Sequence, residues 1–158
     1  MFENIVVKGT IVDTASQAGV SAAELALGTR FPAGYREYIT RFGRGVLGGT
    51  YIRIYIPGRI VAERAEWRAR IDEYWFWDDG APVLTKERAL ECIVFSDTLD
   101  GDELIFHPCA PDTIYVLLRQ AETIYVAGVG LPAAIEWMCS SGVLTEAFTD
   151  RIFEAGQP

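Results

Sequence analysis

The middle of the chain reads Phe95-Ser-Asp-Thr-Leu-Asp-Gly-Asp-Glu-Leu-Ile-Phe106, an acidic turn between two apolar runs that are typical of β-strands. Asp100-Gly101 is a strong hairpin dipeptide, because Gly and Asp tolerate the positive φ that a type I′ turn requires. The stretch therefore predicts a β-hairpin whose tip is solvated. Four carboxylates crowd this tip and are the first candidates for a partner-binding surface: Asp97, Asp100, Asp102 and Glu103.

Short strand-like runs continue on both sides of this hairpin. Residues 92–95 and 104–106 form the hairpin itself, and residues 114–118 and 124–127 follow, separated by turn residues. This spacing predicts an antiparallel meander in the C-terminal half. Upstream, apolar and polar side chains alternate over residues 50–56, which predicts one more half-buried strand.

Two helices are predicted in the first third of the chain. Ser21-Ala-Ala-Glu24 is a capping box, in which the serine and glutamate side chains satisfy backbone donors, and this helix should end at Gly28. Val20 and Leu25 are spaced to pack together as a hydrophobic staple. The second helix should run from Pro32 to about residue 42, with one buried stripe at helical spacing: Tyr35, Tyr38, Ile39 and Phe42.

Two further helices are predicted later in the chain. Residues 60–77 carry apolar side chains on one face, and Glu66 stands four residues before Arg70, a favourable helical ion pair. Pro132 opens the last helix, which should stop at Gly142. Gly45 to Gly49 are predicted to be a flexible connection, and the glycine-rich residues 43–49 lack the Lys-Ser/Thr pair of a phosphate-binding loop.

Together these elements predict an α+β fold, with a mainly antiparallel sheet packed by helices in a single domain over residues 1–158. The chain shows no signal-peptide pattern and no apolar run of about eighteen residues, so we expect a cytoplasmic protein that does not bind membranes. Cys92, Cys109 and Cys139 fit neither a disulfide framework nor a zinc site. Cys92 and Cys139 lie in apolar runs and are expected to be reduced and buried.

Charge is distributed unevenly along the chain, whose net charge is −8. Residues 1–70 carry ten basic and six acidic residues, whereas residues 71–158 carry four basic and sixteen acidic ones. The arginines of the first part form no dense cluster, so we do not expect nucleic-acid binding. The acidic second part favours a basic protein partner by electrostatic steering, although the same charge also suits a surface that is merely solvated.

A second candidate surface follows the third predicted helix. Residues 74–77 are four consecutive aromatic residues, more than one helical face can bury. Trp and Tyr are also common at binding hot spots. The alternative is that Trp75 and Trp77 pack under a loop that ends at Pro82. The residues of this surface are Tyr74, Trp75, Trp77, Asp78 and Asp79.

Few residues point to catalysis. His107 is the only histidine, and Cys109 stands two residues on, but no third, orienting residue is identifiable and Pro108 indicates that the strand is ending. The four hairpin carboxylates could act as an acid and base only within a cleft. They also miss the spacing of a calcium loop, because Leu99 occupies a ligand position. We therefore expect no enzyme, no metal and no cofactor, and keep a small hydrolase as an alternative.

An ordered set of motifs resembles one known family. Leu27-Gly-Thr-Arg-Phe-Pro32 with Tyr35-Arg-Glu-Tyr-Ile39, a Gly-rich loop, Phe95-Ser-Asp97 and Gly101-Asp-Glu-Leu-Ile-Phe106, followed by a hairpin and a closing helix, is similar to the SUKH superfamily in its Smi/Knr branch. The resemblance covers roughly residues 20–145. It implies an α+β domain with a mainly antiparallel sheet backed by helices, and it supplies no catalytic residues.

The resemblance also implies a role. Bacterial members of this family are similar to immunity proteins that neutralise toxins, often nucleases, of polymorphic toxin systems, whereas eukaryotic relatives act as regulatory scaffolds. We therefore expect an immunity-type protein that occludes a basic toxin domain by direct contact. A scaffold of the same fold without a toxin is the alternative.

Overall fold

A computed structural model describes residues 1–48, 51–74 and 77–156, and for Tyr74 it describes the backbone alone. Trp75 and the side chain of Tyr74, two of the candidate binding groups, therefore lie outside the described part of the chain. The elements, in chain order, are β1 (Val6–Lys8), α1 (Gln17–Leu27), α2 (Tyr35–Arg41), β2 (Gly45–Leu47), β3 (Ile52–Ile54), α3 (Pro57–Tyr74), α4 (Lys86–Glu91), β4 (Ile93–Thr98), β5 (Glu103–His107), β6 (Ala110–Leu117), β7 (Ile124–Val129), α5 (Leu131–Ser140) and β8 (Ile152–Ala155).

The strands form one sheet in the order β1-β8-β2-β3-β4-β5-β6-β7. Neighbouring strands are antiparallel except β1 and β8, which are parallel. Helix α3 contacts β4, α4 contacts β5, and α5 contacts β6 and β7. The α+β class, the mainly antiparallel sheet and the C-terminal meander are therefore confirmed. Within the described residues, no helix has both the length and the apolar composition needed to cross a bilayer.

The side chains of α2 join the two halves of the core. Tyr35 meets the ring of Phe95 edge-on, with 6.4 Å between the ring centroids, and thereby packs against the meander. Phe42 packs against Phe153 of β8 at 5.4 Å. The predicted buried stripe is confirmed, because all of its members are fully buried: Tyr35, Tyr38, Ile39 and Phe42.

The cap of α1 differs from the predicted one. Ser16, not Ser21, is the N-cap, and its Oγ accepts a hydrogen bond at 2.9 Å from the backbone N–H three residues on. Glu24 takes no part in capping because its carboxylate pairs with Arg36 at 2.9 Å. Leu25 is 85% exposed, so the predicted hydrophobic staple is wrong as well. The helix does end before a glycine in the left-handed conformation, as predicted.

Helices α2 and α3 begin at other residues than predicted. Pro32 precedes α2 in a turn, in which the Tyr35 N–H donates to the Pro32 carbonyl at 3.0 Å. Helix α3 begins three residues earlier than predicted, directly after β3. Its expected internal ion pair from Glu66 to Arg70 does not form, because Arg70 pairs with Glu103 of β5 instead. Helix α4 was not anticipated in the sequence.

The glycine-rich stretch contains a buried strand, β2, rather than a flexible connection. The C-terminal strand β8 inserts between β1 and β2 and brings Phe153 over Gly45. A Cβ atom at Gly45 would lie only 2.3 Å from the Phe153 ring, so a larger residue does not fit there. Arg151, which is buried, anchors β8 by donating to the Glu136 carboxylate of α5 at 2.9 Å.

The tip of the central hairpin is built differently from the type I′ turn that was predicted. The Gly101 N–H donates to the Thr98 carbonyl at 3.0 Å, and the Thr98 N–H donates to the Asp102 carbonyl at 2.9 Å. Of the three loop residues, all of which the structure describes, only Gly101 has a positive φ, of 94°. This is a three-residue loop, a type I turn followed by a left-handed glycine, and it requires no positive φ at Asp100.

The cysteines are free, and their burial follows the apolar pattern of the sequence. Cys92 and Cys139 are buried, as predicted, whereas Cys109 is exposed. Burial raises the pKa of the Cys92 thiol to about 12 and that of Cys139 to about 11. Both thiols therefore stay protonated at neutral pH and pack as small apolar side chains.

Candidate functional site

A charged cleft opens between α3 and the strands β3 to β5, and we call it the α3 cleft. Its volume is about 320 Å³, and a neighbouring depression of about 360 Å³ shares Arg70, Asp97 and Glu103 and continues to Arg119. All of the lining side chains except Val94 are charged or aromatic. They are Tyr55, Arg59, Glu63, Glu66, Trp67, Arg70, Asp97 and Glu103.

Strand register places the charges of the cleft side by side. Arg53 of β3 is paired with Asp97 of β4, and Asp97 is in turn paired with Glu103 of β5. Side chains of directly opposed residues lie on the same face of an antiparallel sheet, with Cβ atoms about 5 Å apart. The three side chains therefore form one row across the sheet, which α3 covers from one side with Arg70.

Each carboxylate of this row is already paired. Arg53 donates two hydrogen bonds to Asp97, at 2.7 and 2.5 Å, in a bidentate arrangement. Arg70 donates to Glu103 at 2.7 Å. The Asp97 side chain retains 12% of its exposure and Glu103 retains 14%, whereas Arg70 remains half-exposed at 51%. In the Arg70–Glu103 pair, the arginine rather than the carboxylate therefore faces solvent.

Burial dominates the electrostatics of the cleft. It raises the pKa of Glu103 above its usual value, although Arg70 and the indole N–H of Trp67 act in the opposite direction. Burial also raises the pKa of Tyr55 strongly, with the charge of Asp97 adding to the effect. The pKa of Arg53 is raised by its hydrogen bonds to Asp97.

Two aromatic side chains contribute to the cleft. Tyr55 is 5% exposed, and the Arg59 guanidinium lies 3.7 Å from the centre of its ring. Trp67 is 4% exposed and belongs to the core. Arg59 also pairs with Glu63 at 3.0 Å. The arginine is therefore held in place both by the ring beneath it and by a carboxylate beside it.

The four hairpin carboxylates do not form one surface. Asp97 and Glu103 line the α3 cleft, whereas Asp100 and Asp102 line a separate depression of about 280 Å³. Asp102 is buried and accepts hydrogen bonds from the Thr98 hydroxyl and from the backbone N–H of Arg119. The expectation of a solvated acidic tip is therefore wrong for three of the four residues, and it holds only for Asp100.

The second predicted surface, after α3, is described in part. The Trp77 ring is half-buried against the core, and its indole N–H donates to the Ile71 carbonyl at 3.3 Å. This arrangement agrees with the packing alternative for this tryptophan. Asp78 and Asp79 are exposed in the turn that follows. Trp75 and the side chain of Tyr74 lie outside the described residues.

His107 is buried and is held by a residue that the sequence did not reveal. Its Nε2 lies 2.6 Å from a carboxylate oxygen of Glu91, and its Nδ1 accepts a hydrogen bond at 3.1 Å from the backbone N–H of Cys109. Since Nδ1 is the acceptor, Nε2 carries the proton and donates to Glu91. The interaction with His107 lowers the pKa of Glu91. Both ring nitrogens are thus occupied within the fold.

The residues that sequence reasoning missed are the arginines and rings of the cleft. Arg53 stands between two tyrosines on the polar side of an alternating strand, and a charge in that position was the available signal. Arg70 and Arg59 could not be assigned, because their partners depend on how α3 lies on the sheet. Among the described residues, no group of three or more His, Cys, Asp or Glu side chains is placed to hold a metal ion.

Comparisons with known proteins leave the family open. A scan of the sequence against models of protein families finds no match. A search of curated proteins finds no related sequence either. The function of the α3 cleft therefore has to be inferred from its own residues.

Proposed function

We propose that this protein is an immunity-type binding protein that occludes a partner protein with the α3 cleft. The observation that carries the proposal is the composition of the cleft, in which arginines and carboxylates surround Tyr55 and Trp67. Sites for small molecules are lined mostly by apolar side chains. Arginine, in contrast, is among the residues enriched at the hot spots of protein interfaces. Tyr55 and Trp67 are buried, so they support the arginines of the cleft from within the fold.

The partner that we propose is a basic toxin domain, such as a nuclease. The chain carries a net charge of −8, which steers a basic protein toward it. At the cleft, Glu66 is exposed and has no ion pair among the described residues, so its carboxylate is available to a cation of the partner. The ion pairs on either side hold the surrounding surface in a fixed shape before binding.

Membership of the SUKH superfamily and a cytoplasmic location are parts of the same proposal. The α+β fold supports the family resemblance, because an antiparallel meander is followed by a closing helix, α5. A regulatory scaffold of this fold would use the same cleft on another partner. The gene beside this one distinguishes the two roles: a large secreted protein with a C-terminal toxin module supports immunity.

The experiment uses the toxin domain that the adjacent gene encodes and measures its affinity by titration calorimetry at two salt concentrations. Glu66→Lys replaces the available carboxylate of the cleft and should weaken binding about tenfold, a loss of about 1.4 kcal/mol. Glu37→Lys on α2 is the matched control, because Glu37 is also exposed on a helix. Equal affinities of the two variants would reject the cleft as the interface.

A hydrolase is the second candidate, and one observation favours it. Asp97 and Glu103 stand opposite each other in a concave site, and burial raises the pKa of Glu103, as a general acid requires. The bidentate contact of Asp97 with Arg53 opposes this role, since it leaves that carboxylate little freedom. If purified protein hydrolyses p-nitrophenyl phosphates, esters or glycosides and Glu103→Gln abolishes the activity, the hydrolase replaces the binding proposal.

A further inference from the structure

The other flank of α3 forms a groove with α1, which we call the α1–α3 groove. Its volume is about 690 Å³, and its floor is mostly apolar, with Ala26 from α1 and Val61, Ala65 and Ala69 from α3. We propose that this groove docks an acidic amphipathic helix of a partner protein. The inference does not rest on the function proposed for the α3 cleft, because it concerns different residues and the opposite charge.

The shape of the floor suits a helix. Val61, Ala65 and Ala69 follow one another at four-residue spacing, so they form a single ridge along α3. Alanines at this spacing leave a shallow channel in which the leucines of an incoming helix can be buried. Val61 is 39% exposed, and Ala65 and Ala69 of α3 and Ala26 of α1 are exposed as well. Apolar surface is therefore available on both walls.

The positive charge of the groove favours an acidic helix as its ligand. Arg64 and Arg68 line it, and among the residues that the structure describes neither makes an ion pair or a side-chain hydrogen bond. Asp72, the one acidic residue of the lining, is paired with Lys86 at 2.8 Å. Unpaired guanidinium groups on the wall of an apolar channel are complementary to carboxylates that flank an apolar stripe.

A third arginine adds to the positive charge of Arg64 and Arg68 beside the groove. Arg88 lies on α4, which contacts α3, and it also lacks an ion pair within the described ranges. Arg68 and Arg88 both lower the pKa of Glu91, and Arg64 and Arg88 oppose the rise in the pKa of the Cys92 thiol. The carboxylate of Glu91, on which Arg68 and Arg88 act, is hydrogen-bonded to the His107 ring. Positive charge therefore prevails along this flank of a protein whose net charge is −8.

The test uses a synthetic helical peptide of about eighteen residues, hydrocarbon-stapled, with leucine at heptad a and d positions and glutamate at the flanking positions. A peptide with lysine in place of each glutamate is its counterpart. Binding is measured by fluorescence anisotropy, and the site is mapped with ¹⁵N-labelled protein. We expect the acidic peptide alone to bind, and we expect it to shift the amides of Val61, Ala65 and Ala69.

Variants decide whether the groove is responsible. Arg64→Glu with Arg68→Glu should weaken binding of the acidic peptide about tenfold, because two exposed charge pairs are lost and like charges then face each other. Ala65→Glu, on an exposed helical position, should also abolish binding by placing a carboxylate on the floor. Arg41→Glu with Arg44→Glu makes the same change in net charge elsewhere and should have little effect.

Three outcomes would overturn the proposal. The first is an acidic peptide that causes no shift at the groove at millimolar concentration. The second is equal binding of the acidic and lysine peptides. The third is undiminished binding by the Arg64→Glu, Arg68→Glu protein when its amide spectrum shows that it is folded. The affinity of the toxin domain for the α3 cleft is measured separately, so the two proposals can fail independently.

Discussion

The two flanks of α3 carry the same residue type in opposite circumstances. On the cleft flank, Arg59 and Arg70 are paired with Glu63 and with Glu103. On the groove flank, Arg64 and Arg68 have no such partner within the described residues, although they belong to the same helix. A paired arginine gives a surface a fixed shape and a local charge near zero, whereas an unpaired one leaves its charge available to a ligand.

The largest expected effect concerns the row of charges beneath the cleft flank. Arg53→Ala leaves the Asp97 carboxylate buried without its bidentate partner, so we expect the free energy of unfolding to fall by about 3 kcal/mol. Arg64→Ala on the groove flank breaks no ion pair and should change it by less than about 0.5 kcal/mol. Urea denaturation of both variants measures the difference. Similar losses would mean that the two flanks do not differ as described.

A smaller effect is expected in the pH dependence of stability. Burial raises the folded-state pKa of Glu103 above its unfolded value of 4.5, so the ionised form is the disfavoured one in the fold. The contribution of Glu103 to stability is therefore greatest below pH 4.5 and falls as the pH rises through the folded-state pKa. Glu103→Gln should gain stability relative to the wild type over that interval. Urea midpoints between pH 4 and pH 8 give the comparison, and an opposite slope would contradict the assignment.

The smallest effect distinguishes unpaired from paired arginines on α3. Arg88 acts on Glu91 together with Arg68 and on Cys92 together with Arg64, so the three arginines lie in one region, and like charges repel at low ionic strength. Arg68→Gln should therefore raise the free energy of unfolding by a few tenths of a kcal/mol in about 20 mM salt, and the gain should vanish in about 0.5 M salt. A loss of stability at low salt would show that Arg68 has a partner after all.

The regions that the sequence predicted correctly are those whose structure depends on near neighbours. Alternation and apolar runs gave β3 to β7, and helical spacing gave the buried stripe of α2, because those patterns repeat within ten residues. Even there, local signals compete. Both Ser16 and Ser21 can cap a helix, but in the fold Ser21 and Glu24 accept hydrogen bonds from Arg36, and Glu24 also accepts one from the Phe31 N–H.

The candidate site could be predicted only in part, because it is built across long stretches of the chain. Asp97 and Glu103 were candidates through their place in the hairpin, but Arg53 joins them through the pairing of β3 with β4, forty-four residues apart. Strand β8 was missed for the same reason, since it pairs with strands from the first third of the chain. The pairing of strands that are far apart in the chain leaves no local pattern in the sequence.

The central claim is the proposal that the cleft flank of α3 is the surface that meets the partner. The most direct measurement is an amide chemical-shift map of ¹⁵N-labelled protein titrated with the proposed partner, a toxin domain encoded by the adjacent gene. The account predicts that the largest shifts fall on Glu66 and Arg70 of α3 and on Glu103 of β5. Shifts confined to β1, β7 or α5, with the cleft unperturbed in a saturated complex, would contradict it.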